Sequence, residues 1–349
     1  MAVIDADAHV LESEATWAYM EGTDRRHKPE VVDKPEGPDR GTPMWLVDGK
    51  LQRMRQPPRM SSLIGDPPPD SSAFLADVDA RLRHMDQLGT DKQVIYPTLF
   101  ISPLTANPEV ELALARSYNR WLSDIYAQSS GRLPWIAVLP LLSIERAVEE
   151  LRVAREHGAC GAFMRCAEPA NRRVDNPYFF PLYEEAQRLD VPICVHSANG
   201  SPELTSLFED DSGFARFKLA GVGAFHALLF TCVPERFPRL RFGFIELSAQ
   251  WVPYALHDLR RRLRSRGEEP PGEGILRQNR VYVACQTDDD LPYVIRYAGE
   301  DNLVIGTDYG HADTSSEILG LQTFQRQSSV SEATRRKILD DNARALYGI

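Results

Sequence analysis

Near its start the chain carries the run Val3-Ile4-Asp5-Ala6-Asp7-Ala8-His9-Val10-Leu11-Glu12. The run is too short for a helix. On a strand, side chains at i, i+2 and i+4 share a face, so Asp5, Asp7 and His9 are expected to point together. Two carboxylates and an imidazole suit an apolar core poorly, because unpaired buried charge costs several kcal/mol. They suit a divalent metal well, since neutral imidazole and carboxylate oxygen are both good ligands. The structural alternative is a strand end with a capping Asp and a hydrogen-bonded His. Further along, single polar groups close other apolar runs: Arg165, His196, Glu246 and Asp308. One such group is readily satisfied by a backbone carbonyl. Several converging on one place would each need a separate structural excuse.

Convergence requires a scaffold that gathers strand ends. After Ala73 the sequence alternates short Val- and Ile-rich runs with segments of helical periodicity. Strands are expected over Lys92–Leu99, Trp135–Leu141, Gly161–Cys166, Val191–Ser197, Leu240–Leu247, Val281–Gln286 and Leu303–Thr307. The intervening helices are expected over Ala73–Leu88, Val110–Gln128, Ile144–His157, Tyr178–Leu189, Phe214–Cys232, Val252–Arg264 and Leu291–Ala298, with two more over Glu317–Gln327 and Ser331–Tyr347. With the opening run this makes eight strands without a break in composition. That predicts one (β/α)8 TIM barrel over residues 1–349, with its chemistry at the C-terminal strand ends. Between strand one and the first helix, residues 13–72 are rich in Pro (Pro29, Pro35, Pro38, Pro43, Pro57, Pro58, Pro67, Pro68 and Pro69). This stretch reads as an insertion within the barrel, either a lid or a solvated excursion. Met44–Leu51 inside it reads as a hairpin turning at Asp48-Gly49. If the insertion covers the mouth, Trp45 is expected to line the substrate pocket.

The 349 residues are 43% hydrophobic and 26% charged, as in an ordinary globular protein. A net charge of -10 argues against nucleic acid or an anionic membrane as partner and leaves a small-molecule substrate. The five cysteines show no C-x-x-C spacing, and most sit in apolar stretches. With no signal-peptide pattern and no long apolar span, they point to a cytoplasmic protein. No glycine-rich nucleotide fingerprint follows a strand.

The strings DADAHVLE, ERFPRLRFGFIE, GTDYGHAD and KILDDNARALYG, together with the Val195-His196 pair closing strand five, resemble the amidohydrolase superfamily. More narrowly they resemble the amidohydrolase-related branch that includes aminocarboxymuconate-semialdehyde decarboxylase and the resorcylate decarboxylases. The resemblance spans nearly the whole chain. It implies one divalent metal, Zn first with Mn or Fe as alternatives, held by Asp7, His9, His196 and Asp308, with Glu12 as a further candidate. Asp7 departs from the family's usual His-x-His pair, although acidic residues occur there among the decarboxylases. Glu246 stands where many relatives carry a catalytic His at the end of strand six. His311 is a candidate for the same mouth. Arg165 is the expected carboxylate clamp, its planar fork suiting bidentate recognition. Barrels of this branch are often homodimers.

A bound cation activates water and polarises a carbonyl, and Asp308 is placed to act as general base. A cation of +2 with Asp7, Asp308 and Glu246 ionised leaves a centre near -1. At roughly 5 Å and an effective dielectric near 20, one such carboxylate repels a substrate carboxylate by about 3 kcal/mol. The expected reaction is therefore hydrolysis of a neutral amide, ester or lactone, with Glu246 in the catalytic machinery. Two alternatives stay open: non-oxidative decarboxylation or related C–C cleavage of a small, aromatic carboxylic acid, and a metal-free lactonase or ligand-binding barrel.

Overall fold

The computed structural model describes residues 1–36, 40–57, 68–270, 272 and 274–349. Eight parallel strands form in the expected places: β1 Ile4–Val10, β2 Lys92–Pro97, β3 Trp135–Ala137, β4 Ala159–Glu168, β5 Ile193–Asn199, β6 Phe242–Ile245, β7 Val281–Cys285 and β8 Leu303–Ile305. They pair in chain order. Apart from Lys92, every residue in them is buried, as a sheet covered on both faces requires. β3 stops short of Leu141 because Val138 N donates to Asn119 Oδ1 and no longer to a neighbouring strand.

The ring closes just beyond β8. Asp308 N donates to Asp7 O at 2.9 Å and His9 N to Tyr309 O at 2.7 Å. Gly306 permits this approach: a Cβ there would lie 2.3 Å from Asp7 Cβ. The result is a (β/α)8 TIM barrel.

Crossing helices α1 Val78–Leu88, α2 Pro108–Gln128, α3 Ile144–Glu156, α4 Phe180–Leu189, α5 Ala220–Phe230, α6 Val252–Ser265 and α7 Leu291–Ala298 follow the first seven strands. Asp77, Asn107 and Asp290 cap α1, α2 and α7 with their side chains. Two expected helices are interrupted. The one expected from Phe214 opens as a π-helical turn, Phe214–Leu219, before α5. The last one carries a π turn at Lys337–Asp341. Among the described residues no helix is long and apolar enough to cross a membrane.

After β1 come the 3-10 turns Thr16–Tyr19 and Gly22–His27, then an antiparallel three-stranded sheet of Glu30–Asp33, Pro43–Val47 and Lys50–Arg53. The Asp48-Gly49 turn is present, with φ of 49° and 74°. Glu30–Asp33 escapes sequence reading because it lacks a buried face, its residues being exposed or half-buried. Pro38, Pro58 and Pro67 lie outside the described residues.

One sequence expectation fails inside β1. Asp5 pairs with Gln93, but Ala8 pairs with Ile95. Three steps of β1 thus run against two of β2, and this irregularity reverses the alternation of faces. Asp5 therefore leaves the face of His9. Its carboxylate accepts hydrogen bonds from Thr307 N (2.9 Å), Thr307 Oγ1 (2.5 Å) and Gln93 Nε2 (3.1 Å). Gln93 Oε1 in turn accepts from Arg81 Nε of α1 at 2.6 Å. Burial pushes the Asp5 carboxyl up to about 6. Asp5→Ala strips these buried donors of their acceptor and is expected to cost about 3 kcal/mol, read from the midpoint of urea unfolding. An unchanged midpoint would show that the seam between β1 and β8 does not depend on this carboxylate.

Candidate metal centre

The strand exits deliver six donors to one rim. Asp7 and His9 come from β1 and His196 from β5; Glu246 follows β6, and Asp308 and His311 follow β8. Their ligand atoms form two overlapping groups, Asp7-His9-His196-Glu246 and His9-Glu246-Asp308-His311, each lying within 4.8 Å. Glu246 and Asp308 both adopt positive φ, 61° and 50°. Left-handed backbone costs a non-glycine residue about 1–2 kcal/mol, a strain concentrated where carboxylates must be aimed.

His9 Nδ1 is 3.0 Å from Pro97 O, which leaves Nε2 facing the centre. That Nε2 lies 3.2 Å from His196 Nε2 and 3.4 Å from both Asp7 Oδ1 and Asp308 Oδ1. His196 Nε2 is 3.4 Å from Asp7 Oδ1 and from Glu246 Oε2. His311 stacks on His9 with ring centroids 3.9 Å apart, and its Nε2 lies 2.9 Å from Thr98 Oγ1. Its Nδ1 is 2.7 Å from Asp308 Oδ1 without hydrogen-bond alignment. His9 Nε2 and His196 Nε2 face one another inside a ring of carboxylate oxygens, where a shared proton or a cation can lie between them. Separations of 3.2–3.4 Å suit atoms sharing a cation bonded at about 2.0–2.2 Å. The donor set fits one divalent metal.

The electrostatics agree. Burial alone would raise the Asp7 carboxyl, but His196 and His9 bring it below the ordinary aspartate range. Burial works against the charged form of His196 too, yet Asp7 and Glu246 raise it. Burial lowers His9, and it lowers His311 further, helped by His9. Burial pushes Glu246 up to about 8. Asp308 is held well above the usual range by burial and by Glu246, Asp313 and Asp7. Without a cation this cluster therefore retains protons, and metal binding would release them.

Three sequence expectations meet different surroundings. Glu12 is not among the donors: its oxygens accept Thr98 N at 3.0 Å and Leu99 N at 2.8 Å, so it pins the β2 exit. Arg165 is no free clamp, because its Nη1 donates to Glu168 at 2.7 Å inside a buried ion pair. Trp45 is buried edge-on against Trp17, at 6.0 Å between ring centroids. It reaches only a small cavity shared with Glu12, Arg55, Thr98 and Leu99.

A cleft of about 640 Å³ opens beside the centre, with Arg53, Arg55, Thr98, Asn199, Arg216 and Phe217 in its walls. None of the six donors lines this cleft, which adjoins the centre through Thr98, and none lines a larger cavity of about 830 Å³ between α2 and α3. Sequence reasoning missed Thr98, Arg55, Arg216 and Lys218. Thr98 directly follows β2, and the strand-end rule could have found it. Arg55 lies in the Pro-rich stretch, and Arg216 and Lys218 lie in a segment that reads as ordinary helix, where nothing marks them as site residues.

The amidohydrolase family profile matches residues 4–349. A gamma-resorcylate decarboxylase of Polaromonas sp. (strain JS666) is 23% identical over 309 residues, covering 80% of this chain and 90% of its own. Among solved structures, an amidohydrolase of Mycobacterium avium subsp. paratuberculosis K-10 superposes with a TM-score of 0.82 at 21% identity over 99% of both chains. The dihydroxybenzoic acid decarboxylase of Polaromonas sp. JS666, solved with manganese and the inhibitor 2-nitroresorcinol, has a TM-score of 0.63 at 22% identity, covering 77% of this chain and 85% of its own. At these identities the structural likenesses show the fold.

His196→Ala is expected to yield protein that is folded by circular dichroism but retains little metal after dialysis, because it removes a nitrogen central to both His9 and Glu246. Glu12→Gln is expected to keep its metal. Elemental analysis of both variants decides the ligand assignment, and full occupancy in His196→Ala would overturn it.

Proposed function

This chain belongs to the amidohydrolase family, and from that premise we propose that it is a metal-dependent, non-oxidative decarboxylase of a small aromatic carboxylic acid. The observation that carries this reading is the arginine-lined cleft beside a mixed imidazole–carboxylate centre. The charge argument for hydrolysis counted only the centre's own acids. Among the described residues, Arg53, Arg55 and Arg216 stand in the cleft against the single acid Glu209 and make the approach favourable to an anion, in a protein of net charge -10. The relatives named for decarboxylation support the same choice, and hydrolysis of a neutral carbonyl has less behind it.

On this reading the cleft arginines take the place assigned from sequence to Arg165, and they orient the substrate by charge-assisted hydrogen bonds. Gln52, Arg53 and Arg55, in and just after the last strand of the insertion's small sheet, wall the cleft and give the insertion its part in the site. A bound divalent cation supplies Lewis-acid polarisation of the substrate oxygens. Asp308 delivers the proton: the C–C bond to the carboxylate breaks, CO2 departs, and the electron pair left on the ring carbon takes that proton. His311, 2.7 Å from Asp308 Oδ1, is placed to restore it. His9, His196, Asp7 and Glu246 hold the cation. The mixed nitrogen–oxygen donor set accepts Mn as well as the Zn expected from sequence, and the manganese-bound relative favours Mn. The four buried, free cysteines Cys160, Cys166, Cys194 and Cys285 suit a reducing cytoplasm.

The decisive experiment incubates manganese-loaded protein with hydroxylated benzoic acids, including 2,6-dihydroxybenzoate, and in parallel with aryl esters, lactones and amides. Metal-dependent CO2 release from at least one acid is expected. Hydrolysis without any CO2 would overturn the proposal. Arg216→Gln is expected to raise KM for the acid by roughly ten- to a hundredfold, as loss of a charged hydrogen bond costs about 1.5–3 kcal/mol, with metal content unchanged.

A further inference from the structure

The cleft arginines lie outside the metal centre, and none of them offsets the acids at the cation itself. Metal ligands bind deprotonated. Asp7 and Glu246, ionised as ligands, already cancel a +2 cation, and Asp308 and Asp313 stand beside them, so the centre has no positive charge left to draw an anionic ligand. Among the described residues, one lysine sits against this group. Lys218, half-buried on the π-helical turn Phe214–Leu219, donates from Nζ to Glu246 O at 2.5 Å and to Ser315 Oγ at 2.6 Å. Ser315 belongs to the loop after β8, and Ser315 N donates to Asp313 Oδ1 at 2.8 Å. Ser315 also lines a small cavity together with Asp7, Glu246 and Asp308. The ammonium thus stands between the β6 and β8 exits, at the backbone of one donor and beside the cavity formed by all three acids. A π turn is rare and marks functional sites more often than other helical geometry. Here it places Phe217 at the cleft and the next residue at the centre.

We infer that Lys218 is the charge-balancing residue of the centre, offsetting its acids so that an anionic ligand can occupy the metal-loaded site. The inference rests on the metal-binding part of the proposed function and needs no particular reaction. It also opposes a purely structural role in sign. A neighbouring positive charge weakens cation binding and strengthens anion binding, both by direct Coulomb interaction. A mere brace for Glu246 would strengthen cation binding.

The test titrates Mn2+ into metal-free native protein, Lys218→Met and Lys218→Arg by calorimetry, then titrates azide into the manganese-loaded forms. Lys218→Met is expected to bind Mn2+ several-fold more tightly and azide about tenfold more weakly, while Lys218→Arg resembles the native protein in both. Weaker Mn2+ binding by Lys218→Met, or unchanged azide affinity, would overturn the inference. Ser315→Ala removes one hydrogen bond and keeps the charge, so it covers the case in which Lys218→Met fails to fold. Native azide affinity in Ser315→Ala supports charge balancing, and a loss in it rejects the role. If the native protein binds no Mn2+, the metal centre itself is wrong; whether it releases CO2 is a separate result.

Discussion

The site depends on the seam between the first and last barrel strands. Asp308 N donates to Asp7 O and His9 N to Tyr309 O, so the backbone bonds that close the ring also set two carboxylates and an imidazole of the candidate centre side by side. Gly306 makes that closeness possible by presenting no Cβ to Asp7. The buried carboxylate of Asp5 ties the same seam from behind through both polar groups of Thr307. In this barrel, closure and donor geometry are one constraint.

Much of this was legible in the sequence, for a physical reason. A strand buried on both faces must be apolar, so a lone His196 or Asp308 at its end announces itself by contrast. The alternation that groups Asp5 with Asp7 and His9 could not reveal the irregularity in β1, because a shift of one residue leaves no trace in composition. Glu12 and Arg165 show the limit of reading residue types. Both are chemically able to serve the site, and both are already engaged, Glu12 by the Thr98 and Leu99 amides and Arg165 by Glu168. Whether a polar group is free depends on neighbours remote in sequence.

The same limit explains the change of preferred reaction. An acid-rich centre counted from the sequence argues against an anionic substrate. The fold adds Arg53 and Arg55 from an irregular stretch and Arg216 and Lys218 from one π turn. Nothing in the sequence marks these cations as site residues, and their effect exists only once tertiary structure gathers them at the cleft and the centre.

The donors are also spread along the chain in a way that bears on biosynthesis. Asp7 and His9 leave the ribosome first, whereas Asp308 and His311 come some three hundred positions later. No partial chain contains the complete cage, so an emerging nascent polypeptide has only half-sites to offer an ion. A cation that needs the whole set would therefore wait for ring closure. That step joins the most distant parts of the sequence, the kind of non-local pairing that slows folding most. Such an ion would meet a finished barrel rather than take part in its assembly.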